Sequence, residues 1–170
     1  MKKTLAIIAL MFVISFSASA QAPVPETALL DHMTGNWTLE GTIAGRETTH
    51  DVESDWVLRR EYIRMHETSR EKNAKGQAAY EAIVFIAWDD AAREYTCLWL
   101  DSTGGGGLSA KSIGHGERSG DEITFVFKEN DSSVHTTFAY SKSTDTWQWR
   151  IDNESGGKLS PFARVKLTRK

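Results

Sequence analysis

The chain predicts an all-β fold, an antiparallel up-and-down β-barrel of about ten strands with a short N-terminal helix. Two observations carry this. Apolar and polar residues alternate with period two almost continuously from Asn36 onward. Turn-forming clusters interrupt the alternation at intervals of about 8 to 14 residues, the spacing of a sandwich or barrel. Short connections let each strand pair with the next by hairpin, and closure removes the edges an open sheet would expose.

The first twenty residues read as a signal peptide. Lys2 and Lys3 precede an apolar run over residues 5–16, and Ala18-Ser19-Ala20 forms a small-residue cleavage site. The run is too short to span about 30 Å of hydrocarbon. Cleavage after Ala20 predicts a periplasmic or secreted protein, with no membrane contact once the signal is gone. Residues 21–25 read as a tether, and residues 26–170 as one domain with no linker or repeat.

Without Lys2 and Lys3, 18 of the 20 basic residues face 23 acidic ones. That balance, with no basic cluster, argues against nucleic acid as a partner. The single cysteine, Cys97, rules out an internal disulfide, so stability rests on an apolar core rich in tryptophan, six in all.

Residues 26–33 read as a helix with Leu29, Leu30 and Met33 on one side. Strand one places Trp37, Leu39, Gly41 and Ile43 on one face. The second run sets His50, Val52, Ser54, Trp56 and Leu58 together, and a third covers residues 60–69. Residues 79–88 are apolar on both faces, so Ile83 and Phe85 point outward and need a cover. The helix is the first choice for that cover and a second subunit, a homodimer through the Ile83/Phe85 face, the alternative. Residues 93–102 put Tyr95, Cys97 and Trp99 on one face. Four glycines, Gly104 to Gly107, then precede a run over residues 108–114. The runs 122–128, 134–141, 146–152 and 161–168 complete the barrel.

Gly35-Asn36-Trp37, the helix before it and the meander after it resemble the calycins, the lipocalins and their relatives. Three segments resemble more closely a bacterial family of lipocalin-like proteins of unknown function: Trp56-Val57-Leu58-Arg59-Arg60-Glu61-Tyr62, Trp88-Asp89-Asp90-Ala91-Ala92-Arg93-Glu94-Tyr95, and Trp99-Leu100-Asp101-Ser102 with its glycines. The resemblance implies a barrel with an interior cavity. It also implies that Gly35 and Trp37 are structural, with an arginine of the last strand packed across the tryptophan. Arg164 is favoured for that role, and Arg169 is the other candidate. A related haem-binding group carries a longer glycine pattern on strand one and a late histidine. Here position 39 is Leu and no histidine follows His135.

Few motifs point to chemistry. Residues 104–112, GGGGLSAKS, fall short of a phosphate loop because Ala110 stands in place of the second glycine. Gly114, Gly116 and Gly120 deny it the following helix it needs. The stretch reads as a loop at the barrel mouth that gates entry. The five histidines, His32, His50, His66, His115 and His135, show no metal-ligand spacing on one strand face, so no metal is expected. His50 stands out because it shares a face with Ser54 and Trp56.

No G-x-S-x-G elbow occurs, and Cys97 reads as core. The reading that follows is a non-catalytic barrel holding a small, partly apolar molecule, with no cofactor. The expected ligand-binding residues are His50, Ser54, Trp56, Met65, Trp99, Asp101 and Tyr140, an apolar-aromatic lining with a few polar groups. The alternatives are an isomerase or hydrolase using Glu61, Glu67 or Asp101 in the cavity, and a haem-binding barrel with an interior His or Met on the iron.

Overall fold

A computed structural model describes residues 25–104 and 108–170. The signal segment, the tether as far as residue 24, and Gly105 to Gly107 of the glycine loop lie outside the described residues. One short helix, α1 (Ala28–Asp31), directly precedes the strands β1 (Gly35–Ile43), β2 (Arg46–Val57), β3 (Tyr62–Ser69), β4 (Glu81–Asp89), β5 (Glu94–Asp101), β6 (Ile113–Ser119), β7 (Glu122–Glu129), β8 (Ser132–Ser141), β9 (Thr146–Ser155) and β10 (Lys158–Arg169). Each strand pairs antiparallel with the next, and β1 pairs with β10 to close the barrel. The predicted all-β, ten-stranded, up-and-down barrel is the observed one.

The register lays the inward residues in rows around the barrel. One row runs Trp37, Val52, Glu67, Ala82 and Asp101 across β1 to β5. The hairpins β1–β2, β3–β4, β5–β6, β7–β8 and β9–β10 lie at one end, the mouth. At the other end the interior is solid. Trp37, Val52, Ile63, Met65, Ile86, Tyr95, Cys97, Ile123, Phe125, Phe138, Trp147 and Leu167 form one buried cluster there.

α1 plugs that closed end. Four residues cannot hold a helix by themselves, and here the barrel takes up the carbonyls around it. Tyr95 Oη donates to Glu26 O at 2.5 Å, Trp147 Nε1 to His32 O at 3.1 Å, and Trp37 Nε1 to Met33 O at 2.9 Å. Leu29, Leu30 and Met33 drop into the same cluster as Trp37. The helix therefore seals the barrel and leaves Ile83 uncovered, which corrects the expectation that it would cover the Ile83/Phe85 face. Ile83 stays exposed, and Phe85 lines a shallow outer groove of about 370 Å³ with Leu58, Tyr62 and Leu98.

The arginine across Trp37 is Arg169, 4.1 Å from the ring centroid, which corrects the preference for Arg164. The strand period decides the matter. On β10 the buried positions are Ala163, Val165 and Leu167, and Arg169 continues that face directly opposite Trp37. Arg164 has the other parity, pairs with Thr42, and bonds Asp152 outside the barrel. Gly35 completes the arrangement. Its φ is +121°, and a Cβ there would lie 2.4 Å from Arg169 Nη1.

The sixth strand also differs from expectation, running over Ile113–Ser119 after a 3-10 turn at Ala110–Ser112. Gly114 and Gly116 do not break it. They are buried inward positions against which Phe127 and Phe125 lie, each ring 2.7 Å from where a Cβ would be. The absence of two side chains on β6 makes room for two rings on β7.

Candidate functional site: an open cavity with a buried His–Glu pair

The mouth half of the barrel is hollow. A cavity of about 1080 Å³ is walled by Leu39, Phe127, Val134, Trp149, Ile151 and Val165 among others, with Trp99 and Tyr80 on the opposite side. Ten strands enclose more than inward side chains can fill, except where tryptophans and a helix crowd one end. The volume is at the upper end of ordinary small-molecule sites.

The polar centre of the cavity lies on β2 and β3. His50 Nδ1 bonds Glu67 Oε1, and His50 Nε2 lies 2.8 Å from Thr48 Oγ1. His50 and Glu67 are buried, whereas Thr48 is half-buried and faces the open space. The strand period explains the set, because Thr48 and His50 are two apart on one face of β2. On β3, Glu67 sits between Met65 and Ser69 on the matching face. Tyr80, from the long connection between β3 and β4, stacks over His50 at 5.8 Å and accepts a hydrogen bond from Trp99 Nε1 at 3.3 Å. Burial raises the Tyr80 hydroxyl well above the usual phenol range, and the charges of Glu67 and Asp101 add to the effect.

Two buried polar atoms of cavity-lining residues have no partner among the described residues: Glu67 Oε2 and Trp149 Nε1. Unpaired buried groups are uncommon in folded proteins and call for an account. A third, Ser54 Oγ, lies in the packed layer beneath.

Of the residues expected to bind ligand, His50, Trp99 and Asp101 line the cavity. Asp101 is tied into the mouth, accepting from the amide and hydroxyl of Thr103 at 2.7 and 2.6 Å. Ser54 and Met65 point inward but are buried below the cavity floor. Trp56 and Tyr140 belong to the closed end. Trp56 Nε1 donates to Asp31 on α1 at 2.7 Å, and Tyr140 stacks on His32 at 4.4 Å. Parity had placed all seven on inward faces, but parity says nothing of depth along the barrel.

Of the carboxylates weighed for catalysis, Glu67 and Asp101 line the cavity, whereas Glu61 is exposed beyond it. Their strands are two apart, so their backbones are about 10 Å apart. Both ring nitrogens of His50 are engaged, and Met65 does not reach the cavity, so neither presents a free ligand to haem iron. Among the described residues no three His, Cys, Asp or Glu side chains cluster as a metal site. Burial holds the Cys97 thiol far above its ordinary pKa, so it is no nucleophile. Sequence reasoning passed over Thr48, Ser69 and Trp149, whose parity with His50, Glu67 and Trp147 could have found them. Tyr80 sits in a connection with no periodic signal.

Neither the models of known protein families nor the curated proteins give a match to this chain.

Proposed function

We propose that this protein is an exported, lipocalin-like carrier that holds a small, partly apolar molecule in the mouth half of its barrel. The observation that supports it is the cavity of about 1080 Å³, whose wall is mostly apolar and aromatic with a few buried polar groups at one side. A barrel needed only as a scaffold has no use for a hollow half, since filling it with side chains would add apolar burial. Export rests on the N-terminal signal pattern, and lipocalin kinship on the Gly35-Asn36-Trp37 start.

The test is titration of the mature protein with a neutral apolar fluorophore. Trp99 and Trp149 are the two tryptophans on the cavity wall, so bound probe should quench them while Trp37 and Trp147 stay unaffected. Trp99→Phe and Trp149→Phe variants should lose that quenching. Mass spectrometry of molecules that co-purify with the exported protein then identifies the natural ligand. No saturable binding by any apolar probe ends this reading.

One observation favours a second reading, hydrolysis: the relay Thr48–His50–Glu67, with a hydroxyl facing the cavity, an imidazole behind it and a buried carboxylate behind that. On this reading turnover of small apolar esters falls to background in both Thr48→Val and His50→Gln. Turnover that survives both substitutions, or none in the parent, removes it.

A further inference from the structure

The charged side chains around the cavity are unbalanced. With histidine counted neutral, five acidic residues line it, Glu47, Glu67, Glu71, Asp101 and Glu129, against two basic ones, Arg46 and Lys111. Arg46 is already paired with Glu71 at 3.3 Å, at the exposed rim. Gly105 to Gly107, the part of the glycine loop outside the described residues, bring no charged side chain. Most of these carboxylates are rim groups that water screens. Glu67 is different: its side chain is 3% exposed, it borders the cavity beside His50, which bonds its Oε1, and its Oε2 has no hydrogen-bond partner among the described residues.

Apart from His50, whose Nδ1 bonds Glu67 Oε1, no basic side chain among the described residues stands at that depth. An anionic head, such as a carboxylate on an alkyl chain, would leave water to meet Glu67 and a rim where carboxylates outnumber Lys111 and the paired Arg46. A neutral head is indifferent to the field. A cation gains from Glu67 in a medium of low dielectric, from the rim on its way in, and from the faces of Tyr80, Trp99 and Trp149 around the space. From this we infer that the cavity selects an organic cation, a protonated amine on an apolar body, its nitrogen beside Glu67 and Tyr80 and its apolar part along Phe127, Val134 and Ile151. This rests on the carrier reading and names its ligand class.

The experiment displaces a neutral naphthyl probe from the mature protein with three ligands of one chain length: decylamine, decanol and decanoate. The amine should bind about tenfold more tightly than the alcohol and the carboxylate most weakly, with the amine's lead shrinking in high salt. In Glu67→Gln, the amine should fall to within about twofold of the alcohol, each compared within the variant. Saturable binding of the neutral probe to the variant reports an intact barrel. Equal amine and alcohol affinity in the parent, or decanoate as the tightest of the three, overturns the inference whatever the variant does. Failure of the neutral probe itself to bind is a separate outcome, which removes the carrier reading and this inference with it.

Discussion

Replacing Arg169 by alanine tests how the closed end is held. Arg169 lies over Trp37 at 4.1 Å, donates from Nη1 to the Thr34 carbonyl at 2.8 Å, and pairs through Nε with Asp145 at 2.6 Å. The cation–π contact contributes about 1 kcal/mol. The charge-assisted bond to a carbonyl that anchors the α1–β1 turn adds about 1.5–3 kcal/mol. The exposed ion pair adds little. Arg169→Ala should therefore destabilise the barrel by about 2–4 kcal/mol, a fall in Tm of roughly 5–12 °C for a domain of this size. Arg169→Lys should recover little, because an ammonium cannot lie flat on the indole and reach the carbonyl with a second donor. Urea unfolding of the mature protein, followed by tryptophan fluorescence, reads the effect. Arg164→Ala is the control, since its partners lie outside the barrel, and it should change stability by less than about 1 kcal/mol. If Arg164→Ala proved as damaging as Arg169→Ala, or Arg169→Ala were neutral, the assignment of the closing arginine would be wrong.

The β6 glycines should separate stability from binding. A Cβ at Gly116 meets both buried Phe125 and the Thr124 carbonyl, at 2.7 and 2.8 Å, so Gly116→Ala should cost about 1–3 kcal/mol or more in an unfolding titration. At Gly114 only the Phe127 ring is in the way, and it borders the open cavity. Gly114→Ala should then be milder in unfolding but weaken probe binding, and the reverse ranking would contradict the packing described. Asp51 supplies a pH signature. Hydrogen bonds from Arg70, and then from Lys170, hold its carboxyl well below the usual carboxylate range. A pKa depressed by folding stabilises above the unfolded value of about 3.9 and is lost as pH falls below it. Asp51→Asn should therefore be less stable than the parent at pH 6 and converge with it toward pH 2. A gap that stays constant over that range would show that the pairing is not the cause.

The sequence by itself determined the barrel, because period two and short turns are local properties that survive without knowledge of any partner. Parity also placed His50, Trp99 and Asp101 on inward faces, and would have placed Arg169 there had the run Ala163, Val165, Leu167 been continued to the last strand residue. Parity alone, however, cannot rank inward residues by depth. Ser54 and Met65 ended beneath the floor, and Trp56 and Tyr140 at the plug, because depth depends on register around all ten strands and on where α1 docks. Tertiary structure also decided that Gly114 and Gly116 are strand residues, since their purpose is visible only with Phe125 and Phe127 beside them. The Thr48–His50–Glu67–Tyr80 centre is of the same kind. Its members come from two paired strands and an irregular connection; the β2–β3 register and the path of that connection bring a hydroxyl, an imidazole, a carboxylate and a phenol together, and barrel closure puts a hollow space before them.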